Sequence, residues 1–154
     1  MSAREAEAWS RAQDGGDDDL IRLDDLIGCD GARERGGAPA LRMTALHAMA
    51  YCPDFSELPW LAEVATTGDD AQADSALDSI VEQASRPRRT TDPEDAKELG
   101  EGCRRLLTLA RASDRPRVRR VVAVRALRML AERGCVQRSE IPHDFDADAG
   151  HRER

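Results

Sequence analysis

Aromatic residues are almost missing from this chain, and lysine occurs once. Trp9, Tyr51, Phe55, Trp60 and Phe145 are the whole aromatic complement. Any core must therefore be built mainly from Ala, Leu, Val and Ile, which favours closely packed helices. β-Branched runs are also scarce, with valines clustered only between Val118 and Val124, and this predicts an all-α fold. There is no C-x-x-C. The cysteines Cys29, Cys52, Cys103 and Cys135 stand 23, 51 and 32 residues apart with no His pair nearby, so zinc is not expected and buried reduced thiols are the default. A glycine-rich phosphate loop is absent. His47, His143 and His151 have no second His, and no Ser and carboxylate, at a spacing that suggests a metal site or a nucleophile with its base. Asp144, Asp146 and Asp148 alternate as in a calcium loop, but Ala149 stands where that loop needs Gly and the chain ends before its bidentate Glu. No catalysis, cofactor or metal is expected.

What is present is charge, unevenly divided. The net charge is -7. Residues 1–85 carry 18 acids and 6 bases, whereas residues 86–154 carry 12 acids and 17 bases. All bases except Lys97 are arginine, along the whole chain rather than in one patch. The segment Arg104 to Arg138 is the densest, with eleven arginines and two acids, but it holds no aromatic for base stacking.

Helical periodicity is strong. Leu20, Leu23, Leu26 and Ile27 form one apolar stripe on a helix opened by Asp17-Asp18-Asp19 and stopped by Gly28, with a polar loop from Asp30 to Gly37. Further helices are predicted over Pro39 to Cys52, from Ser56 as cap to Thr67, from Asp69 to Ala84, over Pro93 to Ala112 and over Arg117 to Arg133. Gly100 and Gly102 weaken the fifth of these by about 1 kcal/mol each relative to Ala. An N-terminal helix or flexible arm occupies 1–16, the helical repeats 17–134, and a polar, frayed tail 135–154.

The stretch Leu26-Ile27-Gly28-Cys29 matches the pattern at which bacterial lipoproteins are cut and lipidated. A lipoprotein signal needs a basic start and an apolar stretch before the cysteine, whereas "DGGDDDLIRLDD" precedes this one. The match reads instead as the last turn of a helix, with Cys52 about 20 Å away by helical rise. A cytoplasmic location follows as the expectation.

Three helices share a register: Arg42, Ala45, Ala48 and Met49 correspond to Asp70, Ala73, Ala76 and Leu77, and to Arg120, Ala123, Ala126 and Leu127. The segments "LRMTALHAM", "LPWLAEVATTGDDAQADSALDSI" and "VRRVVAVRALRMLAERG" resemble HEAT repeats, whose second helix opens with Val-Arg and continues with spaced alanines. Asp70 departs from that pattern. The resemblance implies a short right-handed α-solenoid of about three antiparallel helix pairs whose second helices line a concave face. On that face Met43, His47 and Tyr51 align with Ser75 and Ser79 and with Arg125 and Met129, a ladder suited to a protein or peptide partner. A non-catalytic scaffold or adaptor is therefore expected. The alternatives are nucleic-acid binding through residues 104–138 and an accessory subunit of an enzyme.

Overall fold

The computed structural model describes residues 1–86 and 93–142. Seven α-helices and no strand occur among them: α1 (Ala3–Asp14), α2 (Asp17–Arg35), α3 (Pro39–Ala48), α4 (Leu58–Thr67), α5 (Asp70–Ser85), α6 (Pro93–Arg111) and α7 (Arg117–Leu130). Short 3-10 turns extend α3 through Met49–Tyr51 and α7 through Ala131–Arg133. Several ends carry the expected chemistry. Ser2 accepts from the Glu5 amide and Asp69 from the Gln72 amide, Pro39 and Pro59 lie in first turns, and Gly134 closes the last helix at φ 83°. Ser56 does not cap α4, which begins two residues later.

Helices α2 and α3, α4 and α5, and α6 and α7 pack as consecutive pairs. Across the pairs, α3 packs on α5 and α5 on α7, while α4 packs on α6. The alanines of the shared register, Ala45, Ala48, Ala73, Ala76, Ala123 and Ala126, are buried and let these helices approach closely. Leu46, Met49, Leu58, Leu61, Ile80, Leu106, Leu109 and Leu127 fill the space between them. The N-terminal segment is a docked helix: Trp9 and Ala12 of α1 cluster with Leu23, Ala45 and Ala48, and Arg35 binds Glu5 at 2.9 Å.

Three local expectations are corrected. The first helix is not over at Gly28. Its φ of 75° and ψ of 168° kink the chain there, and a second helical segment continues to Arg35 through the predicted loop. Leu26, next to the kink, stands 36% exposed instead of entering the core. The tail is not frayed from its start, because Val136 and Ile141 are buried beside α6 and α7. Residues 143–154, with His143, His151 and the alternating aspartates, lie outside the described residues, as do residues 87–92 of the predicted linker.

The cysteines are the largest correction. Cys29 is bonded to Cys52, with Cα atoms 5.9 Å apart, and Cys103 to Cys135, with Cα atoms 6.3 Å apart. The supposed 20 Å separation assumed that Cys29 sat at the turn between the two helices. The segment from Cys29 to Arg35 instead places it about 10 Å down the pair from that turn, where the 3-10 end of α3 meets α2.

Candidate functional site

The predicted ladder comes together only in part. Ser75, Ser79 and Gln83 lie at i, i+4 and i+8 on α5 and are buried against α3. The Ser79 hydroxyl donates to the Leu46 carbonyl, and the Gln83 amide donates to the Met49 carbonyl at 2.7 Å. They satisfy backbone oxygens where α3 ends and offer no surface to a partner. Met43 and Met129 are half-buried against the core. Tyr51 lies under the Arg86 guanidinium, 5.0 Å from the ring centroid. Burial and a hydrogen bond to Asp17 push its hydroxyl up to about 12.

His47 and Arg125 remain exposed. The His47 ring is hydrogen-bonded to Ser75 at 3.0 Å, and the side chains of His47 and Arg125 both act on Asp78. Burial and the neighbouring Asp74 raise Asp78 above the ordinary carboxylate range, which His47 and Arg125 oppose. The outer surface of α3, α5 and α7 is thus an acidic stripe, Asp74 and Asp78, flanked by His47 and Arg125. At one end Val118, 64% exposed, edges a cleft of about 500 Å³ between the N-terminal turns of α5 and α7.

A second site was not anticipated. Asp24 on α2 is only 8% exposed, and neither carboxylate oxygen has a hydrogen-bond partner. One of these oxygens lies within 4.8 Å of both sulfurs of the Cys29–Cys52 disulfide. Burial, followed by the charge of Asp25, raises its pKa from the ordinary 3.8 to about 7, against the opposing pull of Arg86. An open cleft of about 570 Å³ reaches this group, and its rim carries Asp25, Asp30, Asp54 and Glu57 beside Cys29 and Tyr51. Burial also raises Glu57, although Arg33 binds it at 2.7 Å. Asp24, Cys29 and Cys52 are the one group of potential metal donors that converges among the described residues. With both sulfurs in a disulfide the group offers no thiolate to a soft ion. The sequence signal for this site was an aspartate on the apolar side of α2, one residue after Leu23.

Several arginines of the arginine-rich segment are engaged within the fold. Arg119 is buried, donating to the Thr66 carbonyl at 3.1 Å and to Asp70 at 3.0 Å. Arg104 and Arg105 pair with Glu101, and Arg111 donates to the Glu140 carbonyl. Arg133 sits over the Phe55 ring and donates to the Arg86 carbonyl. Arg111, Arg119 and Arg133 thus join different elements, whereas the pairs with Glu101 lie within α6.

Among the described residues no helix is long and apolar enough to cross a membrane. No family model, curated protein or solved structure matches the chain.

Proposed function

We propose that the chain is a short HEAT-like α-solenoid that works as a non-catalytic protein-interaction module, with the outer surface of α3, α5 and α7 as its binding face. The observation that carries this reading is the side-by-side packing of α3, α5 and α7 in chain order, the arrangement expected of second helices in stacked pairs. The buried ladder serines reduce the face to His47, Asp74, Asp78 and Arg125, with Val118 at one end. Its chemistry suits a helix or extended segment that carries cations to the acidic stripe and a small apolar anchor to the Val118 cleft. The arginines committed to internal contacts weigh against nucleic acid as the partner. Two disulfides persist where thiols are kept oxidised, so we set the working form in an oxidising environment rather than the cytoplasm expected from the sequence.

Affinity capture from the native host tests the reading. The double variant Asp74→Lys/Asp78→Lys should lose the captured protein, while Arg104→Glu on α6 retains it, both keeping the native helical circular dichroism. Equal capture by the two variants, or recovery of nucleic acid instead of protein, would overturn it.

A further inference from the structure

The Asp24 carboxyl costs the fold free energy. A buried oxygen without a donor is destabilising, and an apolar residue would pack there without that penalty. Its position relative to the disulfide gives it a use. Cys29 opens onto the cleft, whereas Cys52 is fully buried, and the carboxyl lies within 4.8 Å of both sulfurs. No such carboxyl accompanies Cys103–Cys135 among the described residues. We propose that Cys29–Cys52 is a redox-active disulfide, opened by a dithiol that enters through this cleft, with Asp24 as the internal proton donor to the departing Cys52 sulfur.

The reaction is thiol–disulfide exchange. A thiolate of the dithiol attacks Cys29 Sγ, the accessible sulfur, and forms a mixed disulfide. The Cys29–Cys52 bond breaks, and its electron pair leaves on Cys52 Sγ. A thiolate on the fully buried Cys52 is costly, and Asp24 removes that cost by giving up its proton directly or through one water. The second thiol of the reductant loses its proton to solvent and attacks its own partner sulfur. Cys29 then leaves as a thiolate and is protonated by solvent, which also reprotonates Asp24. The dithiol is oxidised by two electrons to its disulfide, and Cys29 and Cys52 become thiols.

The surroundings suit this role. Asp25 and Asp30 from α2, and Asp54 and Glu57 from the segment before α4, ring the cleft with negative charge. Tyr51 faces it as a neutral phenol, and Arg86 at the end of α5 supplies an opposing charge to Asp24. Burial and the charge of Asp25 keep Asp24 protonated near neutrality, when exposed aspartates are ionised. The acids around the cleft disfavour a reductant with negative charge beyond the attacking thiolate, so the reductant is a dithiol without other anionic groups or one presented on a basic surface.

The test is reduction of the oxidised protein by dithiothreitol at pH 5.5 to 8.5, with acid quenching, alkylation and peptide mass spectrometry. Cys29–Cys52 should open at least about tenfold faster than Cys103–Cys135, and Asp24→Asn should slow that opening about tenfold at pH 6. The ratio of wild-type to variant rate should fall towards one as pH passes about 7, where Asp24 loses its proton. Circular dichroism checks the variant's fold. Should Asn disrupt it, the wild-type rate divided by dithiothreitol thiolate concentration must still drop above pH 7. Equal opening of both disulfides, no difference between wild type and variant at any pH, a flat corrected wild-type rate, or free Cys29 and Cys52 in the oxidised protein would overturn the proposal.

Discussion

At the residue scale, Asp24 makes a prediction that does not depend on redox chemistry. Its carboxyl titrates near 7 in the folded chain and near 3.8 when exposed. Between those values the folded state binds the proton more tightly than the unfolded state. Stability therefore falls as pH rises from about 4 to about 7, and the penalty is fully developed above that window. Asp24→Asn removes the titration while keeping the side-chain shape. Its unfolding free energy, read from urea titration, should exceed that of the wild type at pH 8 by an amount on the order of a few kcal/mol, and the advantage should vanish at pH 4. A difference that stays constant across this range would mean that Asp24 is ionised at all of them, in contact with a donor. The position of Asp24 on the apolar side of α2 is a weak mark in the sequence, because it sits among five other aspartates between 17 and 30. Tertiary packing then buries it and leaves its neighbour Asp25 exposed.

At the scale of elements, two glycines of α6 separate local propensity from packing. A Cβ on Gly102 would come within 2.4 Å of Leu58 Cγ, whereas one on Gly100 meets nothing within 4 Å. Gly102 is thus what allows α6 and α4 to pack at their observed distance. Gly100→Ala should raise stability by about 0.5–1 kcal/mol through helix propensity. Gly102→Ala must force the helices apart, and should lower it by about 1–3 kcal/mol despite the same propensity gain. Thermal unfolding of the two variants reads the opposite signs. Helix positions and most inward rows were legible from spacing, since buried Ala, Leu and Ile recur at three and four residues. The kink at Gly28 was not, because glycine signals equally a helix end and a left-handed hinge between two helical segments. The role of Asp70 was also hidden. It departs from the repeat pattern, and the structure uses it to receive Arg119, which also donates to the carbonyls of Ala65 and Thr66 at the end of α4. Replacing Arg119 with Met should cost about 2 kcal/mol by leaving those carbonyls without the charged donor, whereas Asp70, an exposed side chain, stays solvated.

At the scale of the molecule, the disulfides tie together parts of the chain that the helix pairs leave to packing alone. Cys29–Cys52 joins α2 to the far end of α3, and Cys103–Cys135 joins α6 to the turn beyond α7. They close loops of 23 and 32 residues. By loop entropy each is worth about 3 kcal/mol, and the two differ by only about 0.3 kcal/mol. Their surroundings break this near equality. Cys103→Ser/Cys135→Ser should show the full entropic loss. In Cys29→Ser/Cys52→Ser the new hydroxyls lie beside the Asp24 carboxyl and supply donors that its two oxygens lack, and recovered hydrogen bonds to a carboxyl offset part of the loss by about 1–2 kcal/mol. Urea unfolding at pH 7 should therefore find the Cys103–Cys135 pair the more costly to remove, against the equal losses that chain entropy alone predicts. A larger loss on removing Cys29–Cys52 would show that this bond, not the hydrophobic contacts of Leu23, Leu46 and Met49, fixes the junction of α2 and α3. The bond would then be unsuited to opening and closing while the fold persists.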